Sequence, residues 1–259
     1  MDWALYSTLF GLGLAGGLFS GLLGIGGGIL MVPLLLYLPP AFGIAPLTMK
    51  VVAGITAVQS FVGALAGAAG HHRFRRVHVG LALYLGIPMA VASLAGSVAS
   101  KFLSDGVILA TFAAMALAAA MLMLLPGREE TTDTPLEEVE FARPRAVLVG
   151  TVIGVLAGVV GQGGAFLYIP AMLLLLQIPT RVAIGTALAV GIAASGAVFL
   201  GRVGTDQIPW VWSIVLVAGV IMGAQLGSRL SQFTPRAALR NILAMIITST
   251  AIKICLEIA

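Results

Sequence analysis

Apolar residues fill almost the whole chain in runs separated by short polar or glycine-rich intervals. In the first half the runs span about 3–23, 27–38, 46–69, 79–100 and 106–125; in the second, about 146–160, 163–177, 181–200, 209–230 and 236–258. A helix needs about 20 apolar residues to cross the hydrocarbon core of a bilayer. The runs that follow GLLGIGGG (21–28) and GVVGQGG (158–164) are too short for that. The pattern predicts an all-α membrane protein in which one short helix per half follows a dense glycine cluster.

Composition supports the membrane reading. The 259 residues are 59% hydrophobic and only 9% charged, and the mean hydropathy of +1.09 is far above that of soluble domains. The single long polar interval, PGREETTDTPLEEVEFARPR (126–145), is too short for a folded extramembrane domain and reads as a charged linker. MDWALYSTLF lacks the basic region and cleavage site of a signal peptide, so the segment from Trp3 is expected to stay as helix. One cysteine, Cys255, excludes an internal disulfide, and neither a metal cluster nor any other cofactor is indicated. The net charge of +4 resides at helix ends and in loops, which speaks for orientation in the bilayer and against nucleic acid.

An internal repeat organises these runs. At a constant offset of 137, Gly13, Gly17, Gly21, Gly24, Gly26, Gly27 and Pro33 fall on Gly150, Gly154, Gly158, Gly161, Gly163, Gly164 and Pro170; further on, Gly96-Ser97 meets Gly227-Ser228 at an offset of 131. This divides the chain into a first membrane repeat (1–125), the linker (126–145) and a second membrane repeat (146–259). Charge decides how the repeats lie. Basic short loops stay in the cytoplasm, and HHRFRR (71–76) is the clearest. If the first two segments of each half form a hairpin, ten of the 14 Lys and Arg fall inside and four outside; if each pair is one interrupted crossing, the split is eight to six. The hairpin arrangement follows: two inverted-topology repeats of about five segments each, with the linker cytoplasmic and both termini on the outer side.

Three roles compete for the glycines. Gly13, Gly17 and Gly21, like Gly150, Gly154 and Gly158, keep the four-residue spacing that lets membrane helices approach closely. Gly11, Gly13 and Gly16 formally match the dinucleotide-binding G-x-G-x-x-G, but a membrane helix is not the strand-turn-helix setting which that motif requires. The denser groups, Gly24, Gly26, Gly27 and Gly28 with Gly161, Gly163 and Gly164, disfavour helix at about 1 kcal/mol each relative to alanine and predict breaks. Broken backbone at membrane depth persists where it is buried or lines a polar cavity. A short helix resuming after the break turns free N–H groups and the positive end of its dipole toward it, a setting that attracts anions. Paired breaks in corresponding positions of inverted halves point to a central transport site.

These residues resemble a known family. GLLGIGGGILMVPLL, GVVGQGGAFLYIPAMLLL and IPTRVAIGTALAVGIAASGA are similar to the two repeated signatures of the TauE/SafE sulfite-exporter family, also described as sulfonate transporters, and the resemblance covers essentially the full length. Ala187 departs from it, standing where Ser is common, and 50–60 (KVVAGITAVQS) is more divergent than its second-half equivalent. The resemblance implies a permease of the bacterial inner membrane for a small sulfur-containing anion such as sulfite, thiosulfate or a sulfonate.

An anion at the midplane needs donors. Gln162 stands in the second break where Ile25 stands in the first, and Thr56, Gln59, Ser60, Thr186 and Ser195 lie on the helices after the breaks. Each is also explained by hydrogen bonding to backbone within its own helix or loop. Ser93, Ser97, Gln225 and Ser228 are weaker candidates, and Lys50 reads as a side chain extending to the interface. No nucleophile-and-base pair, H-E-x-x-H or G-x-S-x-G suggests an enzyme. The expectation is a secondary transporter, not an enzyme, with an uncoupled anion channel or a non-transport membrane subunit as alternatives. The residues leave open the exact substrate, its direction, coupling to H⁺ or Na⁺, and whether the chain acts as a homodimer.

Overall fold

The computed structural model describes residues 2–23, 28–69, 77–124, 139 and 141–230. Nine α-helices run through them: α1 (Asp2–Leu23), α2 (Gly28–Ala41), α3 (Met49–Ala69), α4 (Val79–Ala99), α5 (Asp105–Leu124), α6 (Arg143–Val160), α7 (Ala165–Leu174), α8 (Thr180–Gly204) and α9 (Trp210–Leu230). No strand occurs among the described residues. Among the described residues seven helices are long and apolar enough to cross a membrane, while α2 and α7 are the short ones. Gly24, Gly26 and Gly27, and the last apolar run at 236–258, lie outside the described residues.

The long helices carry apolar side chains on two faces because lipid solvates one and protein the other. On α4, Leu81, Leu85, Met89, Ser93 and Ser97 are buried, whereas Leu83, Ile87, Val91, Leu94 and Val98 are exposed along the other side. An exposed apolar stripe of that length is a surface for hydrocarbon rather than water. The short helices are interior: Leu30, Met31 and Val32 of α2 and Phe166, Tyr168 and Met172 of α7 are almost wholly withdrawn from the surface.

Two helix pairs form the closest contacts, α1 with α9 and α4 with α6. The four-residue glycine spacing produces both. A Cβ on Gly150 or Gly154 would lie 2.5 Å from the carbonyl oxygen of Leu85 or Met89, so α6 rests backbone to backbone on α4. Gly158 meets Ser93 in the same way, and Gly13 and Gly17 of α1 meet Leu216 and Val220 of α9. Helix α3 packs on α8 and α9, and α8 also packs on α4.

The helix break between α6 and α7

Helix α6 ends at a glycine for a definite reason. Gly161 adopts the left-handed conformation, φ 83° and ψ 28°, and its N–H donates to Gly158 O at 3.2 Å while that of Gln162 donates to Ala157 O at 3.0 Å. These two bonds close a Schellman turn, which favours glycine at the left-handed position. Gly164, also left-handed with φ 67°, begins α7, and no side chain caps that end. Between them Gly163 has its ideal Cβ position only 3.1 Å from Cβ of Ser195 on α8. The four residues 161–164 thus interrupt the helix, with no room for a larger side chain at Gly161 or Gly163 without a neighbour shifting.

Thr56 of α3 and Ser195 of α8 touch this break. Thr56 is buried on α3, and its Oγ1 contacts Val52 O at 2.9 Å, Ala53 O at 3.3 Å and Gly161 O at 3.2 Å. Ala53 O lies against the Cβ position of Gly161, so α3 is seated directly on the turn. Gln59, one turn further along α3, is 1% exposed, and its Oε1 has no hydrogen-bond partner among the described residues. Ser60 beside it is half-buried. Gln162 within the break is 1% exposed. Ser195 touches the break through its Cβ, while its Oγ donates to Gly191 O at 2.5 Å and so serves its own helix.

The amide end of α7 is open. The N–H groups of Leu167 and Tyr168 return to Gly164 O at 2.9 and 3.0 Å, whereas those of Gly163, Gly164, Ala165 and Phe166 have no acceptor among the described residues. A helix N-terminus leaves such donors for a capping side chain, water or a ligand.

Other candidates stand elsewhere. Thr186 Oγ1 accepts a hydrogen bond from His78 N at 3.1 Å, nine residues before Ser195 on α8 and hence about 13 Å away along the axis. It joins the start of α4 rather than the break. Lys50 Nζ donates to Lys101 O at 3.2 Å, and Asp105 Oδ1 caps the Lys50 N–H at 2.7 Å, so Lys50 ties α3 to the connection between α4 and α5. Ser97 Oγ donates to Val198 O at 2.8 Å. Gly28 opens α2, as Gly164 precedes α7.

Sequence reasoning missed Arg202. The apolar run was bounded at about residue 200, which put this arginine in an outer loop, but α8 continues to Gly204 and the side chain is fully buried. Val203 after it prolongs the apolar run, a signal that would have kept Arg202 within the span. Its Nη2 donates to Val159 O at 2.8 Å and its Nη1 to Gln207 Oε1 at 2.8 Å.

Seven helices long and apolar enough to span among the described residues, with two short interior helices and a buried polar break, define a multi-pass integral membrane protein. Residues 9–254 match the family described as Sulfite exporter TauE/SafE, and the chain belongs to that family of membrane transporters. Among its relatives are the probable membrane transporter proteins YunE and YjnA of Bacillus subtilis. YunE is 22% identical over 85% of this chain and 86% of its own length, and YjnA 27% identical over 94% and 97%. A probable membrane transporter protein of Xylella fastidiosa is 28% identical over 92% of this chain and 90% of its own. No solved structure matches the chain.

Proposed function

We propose that this transporter moves a small sulfur-containing anion, such as sulfite, thiosulfate or an organosulfonate, through a site at the glycine breaks near the bilayer midplane. The observation that carries the reading is the second break, where a helix N-terminus, buried at Gly164 and Phe166 and half-buried at Gly163 and Ala165, presents four N–H groups without an acceptor among the described residues. Backbone N–H donors and the positive dipole end suit an anion without a charged side chain within residues 161–164 themselves. Gly161, Gln162, Gly163 and Gly164 form one wall in this proposal, with Thr56, Gln59, Ser60 and Ser195 from the packed helices. Gly24, Gly26, Gly27 and Gly28 form the other, and Thr186 contributes at a distance through the α4 end. The family description names sulfite export; the relatives' names give no substrate.

The halves 1–125 and 146–259 are proposed as inverted repeats joined by a cytoplasmic linker at 126–145, with each first helix pair a broken hairpin and the termini on the outer side of a bacterial inner membrane. What supports this is an exchanged packing: the first helix of each half rests on the fourth helix of the other, α1 on α9 and α6 on α4.

The test is flux in proteoliposomes, with sulfite, thiosulfate and methanesulfonate as labelled probes. Saturable uptake accelerated by the same anion on the opposite side is expected for a carrier; flux that never saturates and shows no such acceleration would mean a channel, and no flux for any probe removes the substrate class. For orientation, a cysteine replacing Arg75 in a Cys255→Ser background should resist an impermeant thiol reagent added outside whole cells. Labelling there overturns the topology.

A further inference from the structure

Arg202 carries a full positive charge into the interior and is fully buried. No carboxylate among the described residues pairs with it: Nη1 bonds Gln207 Oε1, Nη2 bonds Val159 O and, at 3.5 Å, Gly158 O, and Nε has no partner among the described residues. Gln207 is itself anchored, accepting from Ser100 Oγ at 3.1 Å and donating from Nε2 to Ser97 O at 3.3 Å. The guanidinium is therefore held in place by α6 and by Gln207 of the loop after α8, which is itself tied to α4 through Ser97. A buried cation normally persists only where opposite charge offsets it.

The partial charges of the break explain what Arg202 accomplishes. Helix α6 brings the negative end of its dipole to residues 161–164 and α7 brings the positive end of its own, each about half an elementary charge. Left alone, the two nearly cancel. The carbonyl end, however, is engaged at three successive residues: Ala157 O by Gly161 and Gln162 N–H, and Gly158 O and Val159 O by Arg202. The amide end of α7 stays open. Adding one positive charge at the carbonyl end leaves the whole break positive.

We infer that Arg202 is a positioning residue that acts through the α6 terminus, supplying the fixed charge that makes the break select anions over cations and dianions over monoanions. This rests on the anion site proposed above.

Charge selectivity provides a readout that a merely structural role would not move. Coulomb energy scales with ligand charge, so a loss of about tenfold in affinity for a monoanion corresponds to about a hundredfold for a dianion at the same place. Thiosulfate and methanesulfonate serve as the two probes, measured as binding to the purified full chain in detergent and as KM in proteoliposomes. Arg202→Gln keeps a hydrogen-bond donor and removes the charge; it should weaken thiosulfate far more than methanesulfonate, with Arg202→Lys restoring most of the difference. Gln207→Glu gives a second route by pairing the guanidinium in place, and it should shift the thiosulfate-to-methanesulfonate ratio in the same direction if Arg202→Gln fails to accumulate. Equal effects on both anions in these variants, or no effect, overturn the charge assignment. A wild-type chain inert to both probes overturns the anion site and the assignment with it.

Discussion

Gly163 separates clearance for packing from clearance for a ligand, because its φ is not left-handed and its constraint comes from one neighbour. In Gly163→Ala the new methyl would sit 3.1 Å from Ser195 Cβ, a few tenths of an ångström inside the usual carbon contact of about 3.5–4.0 Å. Overpacking of that kind costs about 1–3 kcal/mol, and with a single tight contact the low end applies. Ser195→Gly removes the opposing Cβ at a cost of about 1 kcal/mol for glycine within a helix. Thermal stability in detergent should therefore recover in the double variant by about 1 kcal/mol relative to the sum of the singles, the coupling expected of residues in contact.

Transport should behave differently. If an anion approaches the N–H groups around Gly163, the added methyl obstructs it whether or not Ser195 has yielded, and kcat/KM for sulfite should fall by about tenfold or more, equivalent to about 1.4 kcal/mol of transition-state stabilisation. Counterflow in proteoliposomes, normalised to inserted protein, compares the wild type, both single variants and the double. Recovery of flux in parallel with stability would refute the reasoning, since Gly163 would then serve only to seat α8.

Three further outcomes follow. Gly161→Ala places a side chain at φ 83° against Ala53 O; the left-handed backbone alone costs about 1–2 kcal/mol, so membrane levels of the protein should fall on quantitative blotting, and wild-type levels would contradict the turn assigned here. Gln162→Ile makes the second break resemble the first, and competition uptake should show a changed preference between sulfite and methanesulfonate at unchanged expression; an identical preference removes Gln162 from selectivity. Lys50→Gln should leave KM for sulfite within about twofold and lower thermal stability by less than about 1 kcal/mol, in keeping with a surface contact, whereas a large rise in KM would return Lys50 to the anion path.

Helix number and type within the described residues were legible because membrane helices must carry long apolar runs whichever way they pack. The short second segments were equally visible, since residues 27–38 and 163–177 fall below spanning length, and their helices are α2 and α7. Boundaries were less so. Helix α6 begins at Arg143 with a proline in its first turn, a few residues before its apolar run, because the first turn of a helix tolerates proline and polar side chains that hydropathy assigns to a linker. The partners of the polar residues were not legible at all. Thr56 and Gly161 are 105 residues apart, and Thr186 and His78 are 108 apart; nothing local in either sequence distinguishes a hydroxyl that crosses to another helix from one that returns to its own. For Arg202 the place within the span was legible from Val203 after it, but the contacts that hold it, from α6 and the Gln207 loop, were not.

The glycines within residues 158–164 do different work although they share a letter. Gly158 admits the backbone of α4, Gly161 supplies a left-handed turn, Gly163 gives way to α8, and Gly164 turns the chain into α7. Spacing separates the first from the others, because a four-residue interval keeps one helix face and closer intervals cannot. Among the remaining three, φ sets Gly163 apart from the left-handed Gly161 and Gly164. A bulky substitution at Gly161 or Gly164 strains the backbone itself and reports on folding before it reports on transport. Gly163 and the charge on Arg202 can be altered while the left-handed turns remain, so those two positions bear directly on whether the break holds an anion or only ends a helix.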